Sequence, residues 1–311
     1  MANAMDVTVL GRELRLTNLD KPMYPAAGFT KGQVIDYYTR IAPVMLPHLR
    51  DRPLTRIRYP NGVEDKFFYE KNCPDHRPDW VEVKTINTRG AGRWGGESKG
   101  PRDIDFCLAN DLPTLVWLSN LASLELHTSL ATAADYQQPT MVAFDLDPGP
   151  PATIVECCRV ALILRALLGR LGLECFPKTS GSKGMQVYLP LNTAVTYETT
   201  TPFAKAVAEL LESEHRDLIV SQQSKELRKG KVLVDWSQNV DFKTTVCVYS
   251  LRARERPTAS TPISWDEVEA AREPEDLRFE AHQVLERVER DGDLYAPVAE
   301  LEQRLPAAFS G

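Results

Sequence analysis

Met141-Val142-Ala143-Phe144-Asp145-Leu146-Asp147 is an apolar run that acquires two acids at its end and is cut off by Pro148-Gly149-Pro150-Pro151. A short apolar run bounded by turn residues reads as a strand. Residues two apart on a strand project to the same face, so Asp145 and Asp147 stand on one side. Any fold for this chain has to place a strand whose end carries two neighbouring carboxylates on a shared face.

Hard divalent ions such as magnesium and manganese prefer oxygen ligands, and two such ions roughly 3.5–4 Å apart stabilise the attacking and leaving oxygens of phosphoryl transfer. By itself the acidic pair fits a strand-end turn with solvated aspartates equally well. A third candidate ligand is Asp235 in Val232-Leu233-Val234-Asp235-Trp236, where an acid in an apolar strand costs desolvation unless something compensates its charge. A metal would do so; a salt bridge to Arg or Lys, or a place on a solvated face, would also serve. Between these acids, Lys178-Thr179-Ser180-Gly181-Ser182-Lys183-Gly184 offers glycine amides, hydroxyls and a cation between two strands, which can cradle phosphate. Its spacing is not that of a Walker A loop and no helix follows, and a plain hairpin turn accounts for the glycines equally well. In order, two carboxylates, a phosphate loop and a third carboxylate point to a site for metal and triphosphate.

The rest of the chain alternates helices and strands. After the loop TNLDKPMYPAAGFT, apolar Val34, Ile35, Tyr38, Ile41, Ala42 and Met45 recur at helical spacing and predict a helix over about Lys31 to Leu49. Pro53 to Tyr59 reads as a strand, Asn61-Gly62 as a turn, and Phe67–Tyr69 as the returning strand of a hairpin. The stretch from Asn87 to Arg102 holds five glycines and reads as a long mobile loop. NDLPTLVWLSNLASLEL begins with a capping residue and reads as a buried helix. A helix is expected from about Thr153 to Leu171, stopped by Gly172, with strands at Glu174–Pro177 and Met185–Pro190. A further helix is read at Phe203–Ser213, and strands at Lys231–Trp236 and Thr244–Ser250. The charged helical tail after Trp265 reads as a closing element. The class is α+β, without internal repeats.

With 311 residues, 43% of them hydrophobic, the chain can bury one large core or two smaller ones closely joined. No stretch approaches the roughly 18 consecutive apolar residues of a membrane helix, and MANAMDVTVLGREL lacks the order of a secretion signal. No membrane role and a cytoplasmic setting are therefore expected. The six cysteines contain no CxxC pair, which suggests neither a zinc site nor a redox motif, and most read as small buried apolar residues. A net charge of −6 runs against simple nucleic-acid binding, which is usually basic. RDRPLTRIRYP, GAGRWGGESKGPR and SKELRKGK concentrate basic residues locally, either as contact faces or as ordinary solvated surface.

FDLDPG, TSGSKG and VLVDWSQN, in that order, resemble the polymerase domain of bacterial ATP-dependent DNA ligase D, a member of the archaeo-eukaryotic primase superfamily. The similarity takes in DKPMYP, TKGQVIDYY, RYPNGV with FFYEK, ANDLPTLVWLSNLASLELH, YSLRAR and RDGDLY, and so runs nearly end to end. It implies a primase-polymerase core of mostly antiparallel sheets flanked by helices, forming a single catalytic domain over 1–311. In that reading 1–140 carries a DNA-contacting hairpin and helices, and 141–311 the metal-binding core and tail. The chain ends where that domain would end and so resembles a stand-alone version without ligase or nuclease modules.

The resemblance implies that Asp145, Asp147 and Asp235 hold two divalent ions, manganese or magnesium, and that His127, Ser180 and Lys183 contact the triphosphate of an NTP or dNTP. Gln238 and Arg252 match positions near the incoming nucleotide. Read on its own, His127 closes an apolar helix as a core or capping histidine. Lys21 and Lys31, ordinary surface lysines if read singly, match lysines that bind a 5′-phosphate beyond a gap. Phe67 and Phe68 match an aromatic pair that packs on the template strand, consistent with the stacking of bases on aromatic faces. Because neighbours on a strand point oppositely, core packing would ordinarily account for at least one of them. Two positions depart from the family. Gln186 stands where its pattern usually has a histidine, and Gln cannot become cationic. The Asn87–Arg102 segment does not match the family segment that bridges two DNA ends.

The implied activity is DNA-end-directed nucleotide addition, with gap filling, primer extension and ribonucleotide use, in double-strand-break repair by non-homologous end joining. The implied partners are DNA with gaps or ends, a DNA ligase and the end-binding protein Ku, in association with the bacterial nucleoid. A non-catalytic DNA-end binding module is the alternative, supported by Gln186 and opposed by the three retained aspartates. A primase that starts chains without a primer is a third reading, opposed by the 5′-phosphate lysines.

Overall fold

The computed structural model describes residues 4–88 and 102–309. The chain divides into two compact units: one takes the chain up to Ser129 with Val246–Ala259 and Glu280–Gly292, the other Leu130–Thr245, Ser260–Phe279 and the chain from Asp293 on.

The first unit opens with the antiparallel pair β1 (Ala4–Val9) and β2 (Arg12–Thr17), then the short pair β3 (Pro22–Tyr24) and β4 (Phe29–Thr30). Helix α1 (Lys31–Leu49) starts where the Thr30 hydroxyl accepts from the Gln33 amide and the Gln33 side chain accepts from the Thr30 amide. Its buried stripe is the expected one, and the Tyr37 and Tyr38 hydroxyls donate to the Tyr249 and Leu124 carbonyls. A sheet follows, of β5 (Leu54–Arg58), β6 (Phe68–Glu70), β7 (Val83–Thr88) and β8 (Arg102–Cys107), with α2 (Leu112–Asn120) leading into β9 (Ser123–Thr128). β5 pairs antiparallel with β6, β8 and β9, which confirms the expected hairpin.

The second unit is built on β10 (Met141–Pro148), α3 (Ile154–Arg170), β11 (Phe176–Thr179), β12 (Met185–Pro190), α4 (Tyr197–Glu214), β13 (Ile219–Val220) and β14 (Val232–Asp235). Its sheet runs β11-β12-β10-β14-β13, antiparallel except for the last pair. The alternation of β10 decides what each face holds. Val142, Phe144 and Leu146 join a buried cluster with Cys157, Val160 and Leu164 of α3 and Phe203 and Val207 of α4, so Asp145 and Asp147 project from the opposite face. β15 (Thr245–Val246) ends this stretch of the second unit and begins the Val246–Ala259 segment of the first; α5 (Trp265–Ala270) and α7 (Ala296–Glu300) belong to the second unit and α6 (Ala281–Asp291) to the first. Among the described residues, no helix is long and apolar enough to cross a membrane.

Several expectations shift. The helix read through Leu126 ends at Asn120: Ala122 takes a left-handed backbone (φ 60°), and the chain turns into β9. The strand read at Glu174–Pro177 lies at Phe176–Thr179, and only Thr245–Val246 of the 244–250 stretch pairs, since Tyr249 adopts φ 66°. Helix α4 begins at Tyr197 and carries Pro202 in its first turns. Asn87 and Thr88 belong to β7 and Arg102 to β8, while the rest of the expected loop lies outside the described residues. Four cysteines are buried free thiols as expected, whereas Cys73 and Cys107 form a disulfide that no sequence motif signals.

Candidate active site

In the second unit the register lines up four side chains across four strands. Lys178 of β11 is opposite Gln186 of β12, Gln186 is opposite Asp145 of β10, and Asp145 is opposite Asp235 of β14. Directly opposed residues share a face, and Asp147, two places from Asp145, shares it too. Gln186 joins the first two members of this row: its Oε1 accepts from the buried Lys178 Nζ at 2.6 Å, and its side chain hydrogen-bonds Asp145. Lys178 Nζ also donates to Ser260 Oγ at 2.7 Å. Burial, then the charges of Asp147 and Asp235, push the Asp145 carboxyl well up; the Gln186 hydrogen bond and the Lys178 charge oppose that rise. Gln186 is therefore a neutral polar link to a buried cation, and the positive charge absent from its own side chain stands one strand away.

Asp235 closes β14 and caps the short turn after it. Its Oδ1 accepts from the Ser237 amide at 2.9 Å and the Ser237 hydroxyl at 2.6 Å, and its Oδ2 from Gln238 Nε2 at 2.9 Å. Asn239 fastens this turn to β10, exchanging hydrogen bonds of 2.8 Å with the Ala143 amide and carbonyl. Gln238 is thus brought to Asp235, as a partner of the acid. Among the described residues no three His, Cys, Asp or Glu side chains gather closely enough to hold one metal ion. In chemistry the donor set fits a hard divalent cation: three carboxylates share a face, and Asp145 is penalised for its charge by the other two. Drawing Asp235 onto an ion would exchange its turn hydrogen bonds for coordination.

The expected phosphate loop is a hairpin turn between β11 and β12. Ser180 N donates to the Gly184 carbonyl at 2.9 Å, while Ser180 Oγ accepts from the Ser182 amide at 3.2 Å and the Gly184 amide at 3.3 Å. Ser180 organises the loop, and Lys183 projects to solvent. Gly184 is required by close approach: a Cβ there would lie 2.1 Å from the Leu146 carbonyl oxygen of β10.

His127 and Arg252 belong to the first unit. His127 sits on β9, not at the end of a helix, and Glu125 two residues before it shares its face. Glu125 Oε2 accepts from His127 Nε2 at 2.9 Å and lies 3.2 Å from Arg252 Nε, while Oε1 accepts from the Ala253 amide at 2.9 Å. Against the cost of burial, the His127 hydrogen bond and the Arg252 charge hold the Glu125 carboxyl down at about 2. Glu125 was missed in the sequence, although Ser123-Leu124-Glu125-Leu126-His127 alternates with the period of a strand.

Lys31 opens α1, and its Nζ donates to the Thr17 carbonyl at 2.7 Å; Lys21 Nζ donates to Asn61 Oδ1 at 2.8 Å. Burial, then the charges of Lys21 and Arg58, lower Lys31 to about 8. Phe67 and Phe68 are 44% and 53% exposed, so core packing explains neither. Phe67 leans on Tyr59 with ring centroids 5.6 Å apart. The strand behind them is anchored by Glu70, which pairs with Arg58 at 2.9 Å and the fully buried Arg56 at 3.1 Å.

A family model described as "LigD, primase-polymerase domain" matches residues 30–295. The multifunctional non-homologous end joining protein LigD of Mycolicibacterium smegmatis is 42% identical over 287 residues, 92% of this chain and 36% of that protein. The bifunctional non-homologous end joining protein LigD of Bacillus subtilis is 31% identical over 281 residues, 90% of this chain and 43% of that protein. The chain thus spans well under half the length of these relatives. The solved polymerase domain from Mycobacterium tuberculosis ligase D in complex with DNA superposes with a TM-score of 0.82 at 37% identity, covering 93% of this chain and 99% of that one. The chain belongs to the LigD primase-polymerase domain family, a family of DNA-directed nucleotidyltransferases.

Proposed function

We propose that this chain adds nucleotides to DNA ends, filling gaps and extending primers with ribonucleotides or deoxyribonucleotides, in double-strand-break repair by non-homologous end joining. The observation that carries the reading is the Asp145–Asp235 pair across β10 and β14, with Asp147 on the same face. Asp145, Asp147 and Asp235 would hold two divalent ions, with manganese preferred. When bound, these ions would make the primer 3′-hydroxyl more acidic and neutralise the triphosphate. Lys183, Ser180 and His127 orient the triphosphate, and Gln238, which also hydrogen-bonds Asp235, and Arg252 lie near the incoming nucleotide. Lys21 and Lys31 take a 5′-phosphate on the far side of a gap; with Arg58 they form a cluster whose repulsion an anion relieves. Phe67 and Phe68 offer exposed rings to template bases. A DNA ligase and Ku are the fitting partners, on bacterial chromosomal DNA.

Purified protein given manganese and ribonucleotides should extend a primer opposite a short gap, and Asp145→Ala or Asp235→Ala should abolish extension. Extension that survives both substitutions would sink the metal assignment. Tight binding of gapped DNA with no extension under any divalent ion would favour the non-catalytic end-binding module instead.

A further inference from the structure

We infer that Glu125 is a positioning residue for nucleotide addition: its carboxylate holds the His127 ring as a doubly protonated imidazolium, and the Arg252 guanidinium beside it, ready for the triphosphate. The inference rests on the reading above that His127 and Arg252 meet the nucleotide.

The three side chains are graded in exposure, from 6% for Glu125 to 13% for Arg252 and 15% for His127, so the carboxylate is the most deeply buried member. Its two oxygens divide the work. Oε2 meets both His127 Nε2 and Arg252 Nε, and Oε1 accepts from the Ala253 amide, fixing the backbone next to Arg252. An ionised carboxylate only accepts, so it fixes a proton on His127 Nε2. With Nε2 committed, the ring can donate to an anionic ligand through Nδ1 only when it carries its second proton. A buried carboxylate at hydrogen-bond distance favours that cationic form.

The other titratable groups around Glu125 among the described residues are Tyr24 of β3, Tyr38 of α1 and Tyr59 after β5, with Arg252 after β15; Arg254 acts on Tyr59. Burial raises all three tyrosines, Tyr59 to about 12. His127 is therefore the member of this group whose ordinary range lies between pH 6 and 8. Such a carboxylate does more than neutralise a buried cation, since it selects the protonation state of the side chain that would touch the nucleotide.

The test uses the full chain with NTP and manganese on a gapped duplex, together with NMR titration of the histidine rings, His127 being assigned by its loss in His127→Ala. In the parent protein the His127 ring should titrate at least about one unit above the ordinary 6.5, and the KM for NTP should stay level from pH 6 to 8. Glu125→Gln should bring the ring back toward 6.5. It should leave KM within about threefold of the parent at pH 6, raise it about tenfold or more at pH 8, and alter kcat less than KM. Glu125→Asp, which keeps the charge, should restore part of the level profile. A parent ring titrating at or below 6.5, or Glu125→Gln following the parent's pH profile of KM, would overturn the inference. If His127→Ala and Arg252→Ala leave KM unchanged while the ring titration is still raised, it is the nucleotide assignment that fails.

Discussion

Asp145 and Asp235 oppose each other across adjacent antiparallel strands, so two carboxylates leave one face of the sheet side by side. Asp147 stands two residues along the same strand, and its charge with that of Asp235 adds to burial in raising the Asp145 carboxyl toward about 7. The site is therefore held at an electrostatic cost in the absence of cations. Sites built for function commonly give up stability in this way.

That cost has a definite pH window. A carboxyl raised from 3.8 in the unfolded chain destabilises the fold when ionised, so the penalty is absent below about pH 4 and complete above about pH 7. In EDTA the protein should lose thermal stability as the pH rises through this window. Asp145→Asn should be more stable than the parent at pH 8 by about 0.5–2 kcal/mol, with the two alike near pH 4, and should respond less to added manganese. Thermal melts of both proteins decide it, and a less stable Asp145→Asn at pH 8 would contradict the electrostatic account.

Lys31 carries the opposite sign. Its ammonium, buried at the first residue of α1 and facing Lys21 and Arg58, is lowered to about 8 from 10.5, so the charged form costs stability below pH 8 and the cost is relieved between about 8 and 10.5. A preference for gaps bearing a 5′-phosphate should accordingly fade from pH 7 to pH 9 in the parent, and should persist at pH 9 in Lys31→Arg. The ratio of affinities for phosphorylated and unphosphorylated gaps is the quantity to measure; equal pH dependence in the two proteins would remove Lys31 from that role.

Elements with local signals were legible in advance. Helix α1 runs over the expected Lys31–Leu49 on the helical recurrence of Val34, Ile35, Tyr38, Ile41, Ala42 and Met45, and β12 occupies the expected Met185–Pro190. β9 was concealed because the turn at Leu121–Ala122 uses neither Gly nor Pro, and the strand's apolar residues prolong a helical stripe. The acids of the candidate site were visible because strand alternation is a local property. Their partners were not: Lys178 acquires meaning only through the register of β11 on β12, and Glu125 only through Arg252 and Ala253, far along the chain. Gln186 was identifiable as a departure, but the neighbouring cation that accompanies it required the sheet.

The Cys73–Cys107 disulfide closes a loop with a sequence separation of 34, tying the stretch after β6 to the end of β8. Cross-linking a loop of this size restricts the unfolded chain, and its reduction should lower stability by about 2–4 kcal/mol. Thiol titration of the denatured, unreduced protein should find four reactive cysteines, rising to six after reduction. Six thiols before reduction would remove the cross-link, and Cys73→Ser should then melt like the parent.

Phe68 separates a binding role from a folding one. It is 53% exposed at the start of β6, opposite Arg58, while the strand is held to β5 by its ladder and by Glu70 between Arg56 and Arg58. Removing the ring therefore takes little from the core, and Phe68→Ala should melt within about 0.5 kcal/mol of the parent. A ring that stacks on a template base contributes about 1–3 kcal/mol, so the same substitution should weaken binding of gapped DNA by about fivefold or more. Phe67→Ala should cost somewhat more stability, because its ring also packs on Tyr59. Unchanged DNA affinity in Phe68→Ala, measured at fixed salt, would show that the exposed pair does not meet the template; a large drop in melting temperature would show that its exposure misrepresents its part in the fold.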